Sequence, residues 1–343
     1  MWKKKIGIIY NKPVSQGYDH WEASTDILTQ VEAVEKALRS LGYPSVRIPF
    51  TKNLKFFIKK MDKERVSIAF NLCESVDEDP KLAYHPAALL ELLEIPFTGS
   101  PSAAIMLTTD KLVAKRLMTA NGIRTPNYLV YIGQENFNTS ILRFPVIIKP
   151  RFEDASIGID QESIFEEEKK LRKGLKEFGE RFGHLLIEEY ITGRELNISL
   201  LGHPVARTLP VAEIDFSSFS EGLYPIVGYR AKWEKNSFEY NHTPRVFPDD
   251  LPQGVLKKLN DTALNCFHLF QLRDYGRVDI RMDSHERIYV LEVNANPCLS
   301  PDAGLAAASH EAGIGYSELI KKLIDYTEKR TVQNDHKVSH VTG

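Results

Sequence analysis

Residues 274–296 constrain this chain more than any other stretch. Asp283-Ser284-His285-Glu286 reads as a turn between two strands. With Ser284 and His285 as the loop, Met282 faces Arg287, Ile280 faces Tyr289 and Val278 faces Leu291. Those residues and Val293 then form an apolar side. The opposite side gathers Arg277, Asp279, Glu292 and Asn294, with Arg277 across from Glu292. Carboxylates held side by side repel, so their proximity needs a compensating charge. Two readings supply it. One is a structural ion pair with Arg277. The other is a Mg²⁺ site, in which Asp279, Glu292 and Asn294 give hard oxygen ligands completed by water and nucleotide phosphates. The segment that follows, Asn296-Pro297-Cys298-Leu299-Ser300-Pro301, is rigid and polar, as a substrate-facing edge would be.

The chain is long enough to give that ribbon a scaffold. Its 343 residues suggest about two or three domains. With 43% hydrophobic and 26% charged residues it has the makings of a real core. The first hundred residues alternate strand and helix signals. Ile6-Gly7-Ile8-Ile9-Tyr10, then Val46, Ile48 and Phe50, then residues 66–72 read as strands. Ile27, Leu28, Val31, Val34, Leu38 and Leu41 fall on one helical face that Gly42 ends. This rhythm predicts a small parallel sheet, whose ligands bind at the C-terminal strand ends near residues 10–24 and 71–79. Further on, Asp110 caps a helix that Gly122 closes, residues 144–149 make a buried strand ending at Lys149, and residues 166–182 form a charged helix. After Gly193 hairpins dominate, up to a long aromatic connection over 215–250. A terminal amphipathic helix covers 316–327, and the polar stretch from Arg330 reads as a frayed tail.

Several classes are disfavoured. A formal net charge of -2, from 44 basic and 46 acidic residues, leaves no footprint for nucleic acid or an anionic membrane surface. No apolar run approaches the roughly 18 residues of a membrane span. The basic start is followed by a stretch that Asn11-Lys12-Pro13 stops too soon for a signal-peptide core. The three cysteines, Cys73, Cys266 and Cys298, lie far apart without metal-ligand spacing, which argues for a reducing compartment, the cytoplasm.

The ribbon resembles the metal-binding signature of the ATP-grasp superfamily. Other stretches resemble its D-alanine–D-alanine ligase branch, in order over most of the chain: Thr98-Gly99-Ser100, Asp110-Lys111, Ile147-Ile148-Lys149-Pro150, Ser156-Ile157-Gly158, Ile187-Glu188-Glu189-Tyr190, Gly193-Arg194-Glu195, Arg277-Val278-Asp279 and Leu291-Glu292-Val293-Asn294. The resemblance implies an α/β (α+β) ATP-grasp fold. Residues 1–99 would be a Rossmann-like domain, 100–191 a central and 192–329 a C-terminal ATP-grasp subdomain, and 330–343 a flexible tail. ATP would lie between two antiparallel-sheet modules.

The implied reaction is a carboxylate–amine ligation through an acyl phosphate, with ADP and phosphate released. Its substrates would be amino acids or peptides. The implied cofactors are ATP and Mg²⁺, as two ions, with Mn²⁺ as a substitute. Lys111 and Lys149 would meet the phosphates; a lysine leaving a buried strand suits a polyanion. Glu188, Glu189, Tyr190 and Ile191 would contact the base, Glu195 the ribose hydroxyls, and Ser156 a phosphate oxygen under a cover formed by residues 151–158. Arg277 and the backbone N–H of Gly276 would stabilise the oxyanion. Residues 229–234 would form a lid carrying Lys232 to the γ-phosphate, and Glu22 would hold the first substrate's amino group. A homodimer through the N-terminal region follows by analogy.

Departures fall in the substrate half. In these ligases the glutamate is linked to a loop serine and a lid tyrosine; here Ala155 and Trp233 stand there, and tryptophan offers only an N–H. The glycine-rich turn after the first strand is replaced by residues 11–17, and a histidine-glycine step by Asn71-Leu72-Cys73-Glu74. The expected enzyme is therefore a ligase of this type whose substrate is not fixed as D-alanine. The alternatives are a true D-alanine–D-alanine ligase of peptidoglycan synthesis and an inactive nucleotide-binding protein.

Overall fold

The computed structural model describes residues 4–14, 17, 20–134 and 138–339, with side chains to Thr331. Ser15 and Gln16 of the altered turn, the first three residues and the last four lie outside it.

Short apolar runs separated by helical periods give a parallel sheet in the order β2-β1-β3, from β1 (Ile6–Asn11), β2 (Ser45–Phe50) and β3 (Ile68–Asn71). Its crossovers are α1 (Trp21–Ser40) and α2 (Leu54–Glu64). Helix α1 buries Ile27, Val31, Val34 and Leu38. Leu28, expected on that face, is 39% exposed. One residue past Ile27 it stands about 100° around the helix. Residues just beyond β3 and on the first turns of α1 (Glu74, Ala23 and Asp26) border a large cleft, the place ligands occupy on parallel sheets.

Helices α3 (His85–Leu92), α4 (Ser102–Thr109) and α5 (Lys111–Ala120) follow. Asp110 Oδ1 caps α5, accepting from Leu112 N at 3.1 Å and Val113 N at 3.3 Å. Arg151 also clamps this carboxylate at 2.8 and 2.6 Å. That tie holds the start of α5 beside the second sheet. This sheet is antiparallel in the order β4-β7-β5-β6, from β4 (Tyr128–Tyr131), β5 (Val146–Pro150), β6 (Ile164–Phe165) and β7 (Leu185–Glu189), with α6 (Glu168–Phe182) packed on it.

The third sheet runs β11-β10-β8-β12-β13, with a short β9 beside β8. Its strands are β8 (Arg194–Gly202), β9 (Arg207–Thr208), β10 (Ala212–Ile214), β11 (Arg245–Val246), β12 (Asp274–Met282) and β13 (Ile288–Asn294). The aromatic connection before β11 holds α7 (Tyr229–Trp233) and α8 (Phe238–Asn241); α9 (Gln253–Leu269), α10 (Gly304–Glu311) and α11 (Tyr316–Ser339) complete the chain. Helix α11 runs past its expected end at Thr327. Arg330, expected to open a tail, instead pairs with Asp274 and donates to Phe97 O at 2.8 Å. Among the described residues no helix is long and apolar enough to cross a membrane.

The β12–β13 register departs from expectation. Asp283 N bonds Arg287 O at 3.1 Å and Glu286 N bonds Asp283 O at 3.0 Å, so the loop takes in residues 283–287. Met282 therefore lies opposite Ile288. A bulge between Asp279 and Ile280 then leaves Leu291 without a partner, and beyond it Asp279 faces Glu292 and Arg277 faces Asn294. The pairing Arg277–Glu292 is thus wrong by two residues. A shift of two preserves which face a side chain occupies. Arg277, Asp279, Glu292 and Asn294 still share the polar side, and all four border the cleft. The bulge also turns Leu291 to the cleft, while Val290 joins the buried side.

Candidate active site

The cleft has a volume of about 610 Å³ and is bordered by the second sheet, the third sheet and the edge of the first. One end is built around a carboxylate between two ammonium groups. Glu188, on β7, is 1% exposed. Its Oε2 lies 3.0 Å from Lys149 Nζ on β5, and its Oε1 lies 3.2 Å from Lys115 Nζ on α5. Burial opposes ionisation of Glu188, but the two lysines hold its pKa below the ordinary value. One negative charge does not satisfy two positive ones. Burial therefore pushes Lys115 down to about 8 despite Glu188. The carboxylate expected at the adenine and ribose is thus committed to lysines, because β7 and β5 are paired neighbours.

Lys115 was missed from the sequence. Its signal was the four-residue spacing from Lys111 on one helix face. Lys111 itself is buried, donating to Glu153 O at 2.5 Å and Asp154 Oδ1 at 3.1 Å, with Glu292 Oε2 at 4.0 Å. Burial disfavours its charge, yet Asp154 and Glu292 raise its pKa overall.

Next along the chain, Glu189 also borders the cleft, and its carboxylate accepts from Arg143 N at 2.9 Å. Tyr190 and Ile191 border the cleft, and the Tyr190 hydroxyl donates to Pro225 O at 3.2 Å. Glu195 borders it too, with Arg281 Nη2 at 2.7 Å. Arg281, 3% exposed, also reaches Gly193 O at 3.0 Å and lies over the Tyr190 ring. It too was missed, because Arg281 and Glu195 meet only through the β12–β8 register.

The cover segment is tightly turned, with Ala155 at φ 55, Ser156 at φ 61 and Gly158 at φ 72. Two consecutive left-handed residues other than glycine are costly and are held by their surroundings. Ser156 Oγ donates to Val227 O at 2.8 Å, so this hydroxyl holds the neighbouring chain rather than pointing free at a phosphate. Gly158 serves packing: a Cβ there would stand 2.7 Å from Phe182 Cζ and Pro150 Cγ.

The link expected to be missing is rebuilt on the backbone. Trp233 Nε1 donates to Ala155 O at 2.9 Å. One turn earlier on α7, the Tyr229 hydroxyl lies 3.4 Å from Glu22 Oε2. Burial and the Glu22 carboxylate push Tyr229 up to about 12. Since the acceptor is a carbonyl, Ala155→Ser leaves turnover within about threefold of the parent. Trp233→Phe, which keeps the ring and loses the donor, lowers kcat/KM by about tenfold. Steady-state kinetics of the two variants checks this.

On the hairpin, Arg277 grips Asp279 through Nε and Nη2, at 2.7 and 2.8 Å. Asn197 Nδ2 reaches the same carboxylate at 2.8 Å and Asn294 Nδ2 at 3.2 Å. Gly276 is buried in the sheet, where a Cβ would meet Leu272 Cδ1 at 2.7 Å, and it is not among the residues bordering the cleft. Glu292 differs from Asp279, since no hydrogen bond to its carboxylate is present among the described residues. Burial opposes its charge, but Lys111, Lys232 and Arg277 depress its pKa to about 2. Lys232, on α7, borders the cleft; enclosure and Arg277 hold its ammonium below the ordinary value.

The donors Asp279, Glu292 and Asn294 are all hard oxygens, one of them a carboxylate still open to the cleft, which fits a hard divalent cation. Among the described residues no three His, Cys, Asp or Glu side chains cluster to hold a metal. Two carboxylates and an amide fit a cation shared with phosphate oxygens.

Two antiparallel sheets meeting at a cation-lined cleft, beside a parallel-sheet domain, define the ATP-grasp class. A family model described as D-ala D-ala ligase C-terminus matches residues 117–325. The uncharacterized protein y4sG of Sinorhizobium fredii is 32% identical, over 88% of each chain. A D-alanine--D-alanine ligase of Aquifex aeolicus is 31% identical over 85% of this chain and 92% of its own length. One from Carboxydothermus hydrogenoformans is 32% identical over 85% and 90%. The crystal structure of D-alanine--D-alanine ligase from Bacillus anthracis complexed with ATP shares the fold, with a TM-score of 0.75 over 96% of this chain and 99% of that one at 22% identity. The chain belongs to the D-alanine–D-alanine ligase family.

Proposed function

We propose that the protein is an ATP-dependent carboxylate–amine ligase working through an acyl phosphate. The observation that carries this is the convergence of Lys111, Lys149, Lys232 and Arg277 on one cleft wall-to-wall with Asp279, Glu292 and Asn294. In the first step a substrate carboxylate oxygen attacks the γ-phosphorus of ATP, and the bond to the β-phosphate oxygen breaks to release ADP. In the second a neutral amine attacks the acyl carbon, the carbon–oxygen bond to phosphate breaks, and the nitrogen loses a proton.

Lys111, Lys149 and Lys232 neutralise the phosphates, and Arg277 donates to the developing oxyanion. Asp279, Glu292 and Asn294 would hold Mg²⁺, two ions or Mn²⁺ in their place, which supplies charge neutralisation for the transferred group. Glu195 keeps a free carboxylate edge for ribose, and Tyr190 and Ile191 line the base end. Glu22, exposed on the first turn of α1 next to the cleft residue Ala23 and 3.4 Å from the Tyr229 hydroxyl, would hold the substrate's amino group, and α7 would exclude water that hydrolyses the acyl phosphate.

In this reading residues 1–99, 100–191 and 192–329 are the N-terminal, central and C-terminal parts, with ATP between the last two. A homodimer in the cytoplasm is the expected setting; the free thiols Cys73, Cys266 and Cys298 accord with a reducing compartment. The reading as an inactive nucleotide binder drew on a missing lid link, and the Trp233–Ala155 bond removes that support. The test is a phosphate-release screen of amino-acid pairs, with product mass and D-alanine alone included. Release that needs both a carboxylate and an amine supports a ligase. Nucleotide binding without release for any pair contradicts it.

A further inference from the structure

The wall of the cleft that comes from the N-terminal part carries two carboxylates, Asp26 on α1 and Glu74 just past β3. One amide serves both. Gln30 Nε2 lies 3.0 Å from Glu74 Oε1 and 3.5 Å from Asp26 Oδ2. Gln30 is itself 2% exposed, and its Oε1 accepts from Leu299 N at 3.0 Å, which pins the loop after β13 to the same place. The other side-chain contacts of Asp26 are neutral: Ser300 Oγ at 3.4 and 3.3 Å and Cys298 Sγ at 3.4 Å.

The carboxylates around the phosphate end are matched differently. Glu188 has Lys115 and Lys149, Asp279 has Arg277, Glu195 has Arg281, and Asp154 has Lys111. Among the described residues no lysine or arginine forms an ion pair with Asp26 or Glu74. Burial foremost, with Asp26 and Asp154 beyond it, pushes Glu74 up to about 7, against the Gln30 amide and the more distant Lys232 ammonium, which lower it. Cys73 and Glu74 of this wall belong to the Asn71-Leu72-Cys73-Glu74 stretch, where the chain departs from the ligases it resembles.

We propose that one of the two substrates carries an ammonium group beyond those of an alanine pair, seated between Asp26 and Glu74, so that a diamino acid or a diamine is used. The inference rests on the ligase reading and narrows its substrate class. The ammonium can arrive on the carboxylate substrate or on the amine, and the product tells them apart. A diamino acid used as acyl donor loses its free carboxyl, whereas one used as amine keeps it.

The experiment compares phosphate release by the wild-type protein with lysine, ornithine or putrescine against the neutral isosteres norleucine, norvaline and butylamine. Both enantiomers of each amino acid are paired with alanine, and because the two orders of condensation have the same mass, products are sequenced by fragmentation in tandem mass spectrometry. The expected result is kcat/KM at least about tenfold higher for the ammonium-bearing partner than for its isostere. Asp26→Asn and Glu74→Gln should then raise KM for that partner by about tenfold each. Equal rates for lysine and norleucine, or preference for the neutral partner, overturn the inference and leave the ligase reading standing. Absence of release for every pair, with ATP bound, overturns the ligase reading itself. The wild-type comparison decides even if a variant fails to fold.

Discussion

Arg277→Met lowers kcat by about 10²–10³-fold, the scale of losing a preorganised oxyanion donor. The effect is expected on kcat because, in the proposed mechanism, the guanidinium acts where charge develops rather than where the nucleotide is held. Arg277 also neutralises Asp279 through two bonds of 2.7 and 2.8 Å. Its removal leaves that carboxylate with only Asn197 and Asn294 for partners. Arg277→Lys keeps a charge but cannot span both oxygens, so its kcat falls between parent and Met variant. Steady-state kinetics with ATP and each substrate varied in turn reads the split. A Met variant with kcat within threefold of the parent would remove Arg277 from the mechanism.

Glu188→Gln is the largest stability change expected, about 3–5 kcal/mol, because removing one partner strands buried charge. Here two ammonium groups, Lys115 and Lys149, lose the carboxylate they share. The loss depends on pH with a definite sign. Lys115 sits at about 8 in the folded protein against an ordinary value of 10.5. The native state therefore gives up that proton first, and this group's contribution to stability rises as pH climbs from about 8 towards 10.5. Without Glu188 the Lys115 pKa falls further, and the rise begins at lower pH. The variant's deficit is thus greatest near pH 6–7 and shrinks by pH 9. Urea unfolding at both pH values measures it, and a second change, Lys115→Met, should restore much of the stability. A deficit that grows with pH would contradict the arrangement.

What the sequence disclosed follows period and locality. The polar side of the last hairpin was legible because strand side chains alternate, and a register wrong by two residues kept the same four side chains together. The partners were not legible. A five-residue loop and a bulge each shift the register by one residue, and only the two together restore the alternation. Lys149 was legible as the end of an apolar run, but Glu188 took its place between two lysines only through strand pairing that no local pattern encodes.

Backbone partners were the least legible of all. Trp233 bonds a carbonyl, and every residue at position 155 supplies a carbonyl, so comparing side chains suggested a lost link where one exists. The same limit hid the Gln30 amide, which joins Asp26 to Glu74 across a long separation in sequence. Gly276 differs again: a glycine beside an arginine of the cleft suggests a close approach of the backbone to substrate, but Gly276 is buried, has no room for a Cβ against Leu272 and does not border the cleft.

The central claim is that this cleft moves a phosphoryl group from ATP onto a substrate carboxylate. Carboxylate-[¹⁸O] substrate, from the pair that gives the fastest phosphate release, tests it directly when the released phosphate is analysed by mass spectrometry. Transfer through an acyl phosphate places one ¹⁸O atom from the carboxylate in each phosphate formed. Phosphate carrying no label, released at the same rate as product, would mean that the carboxylate never attacks the γ-phosphorus.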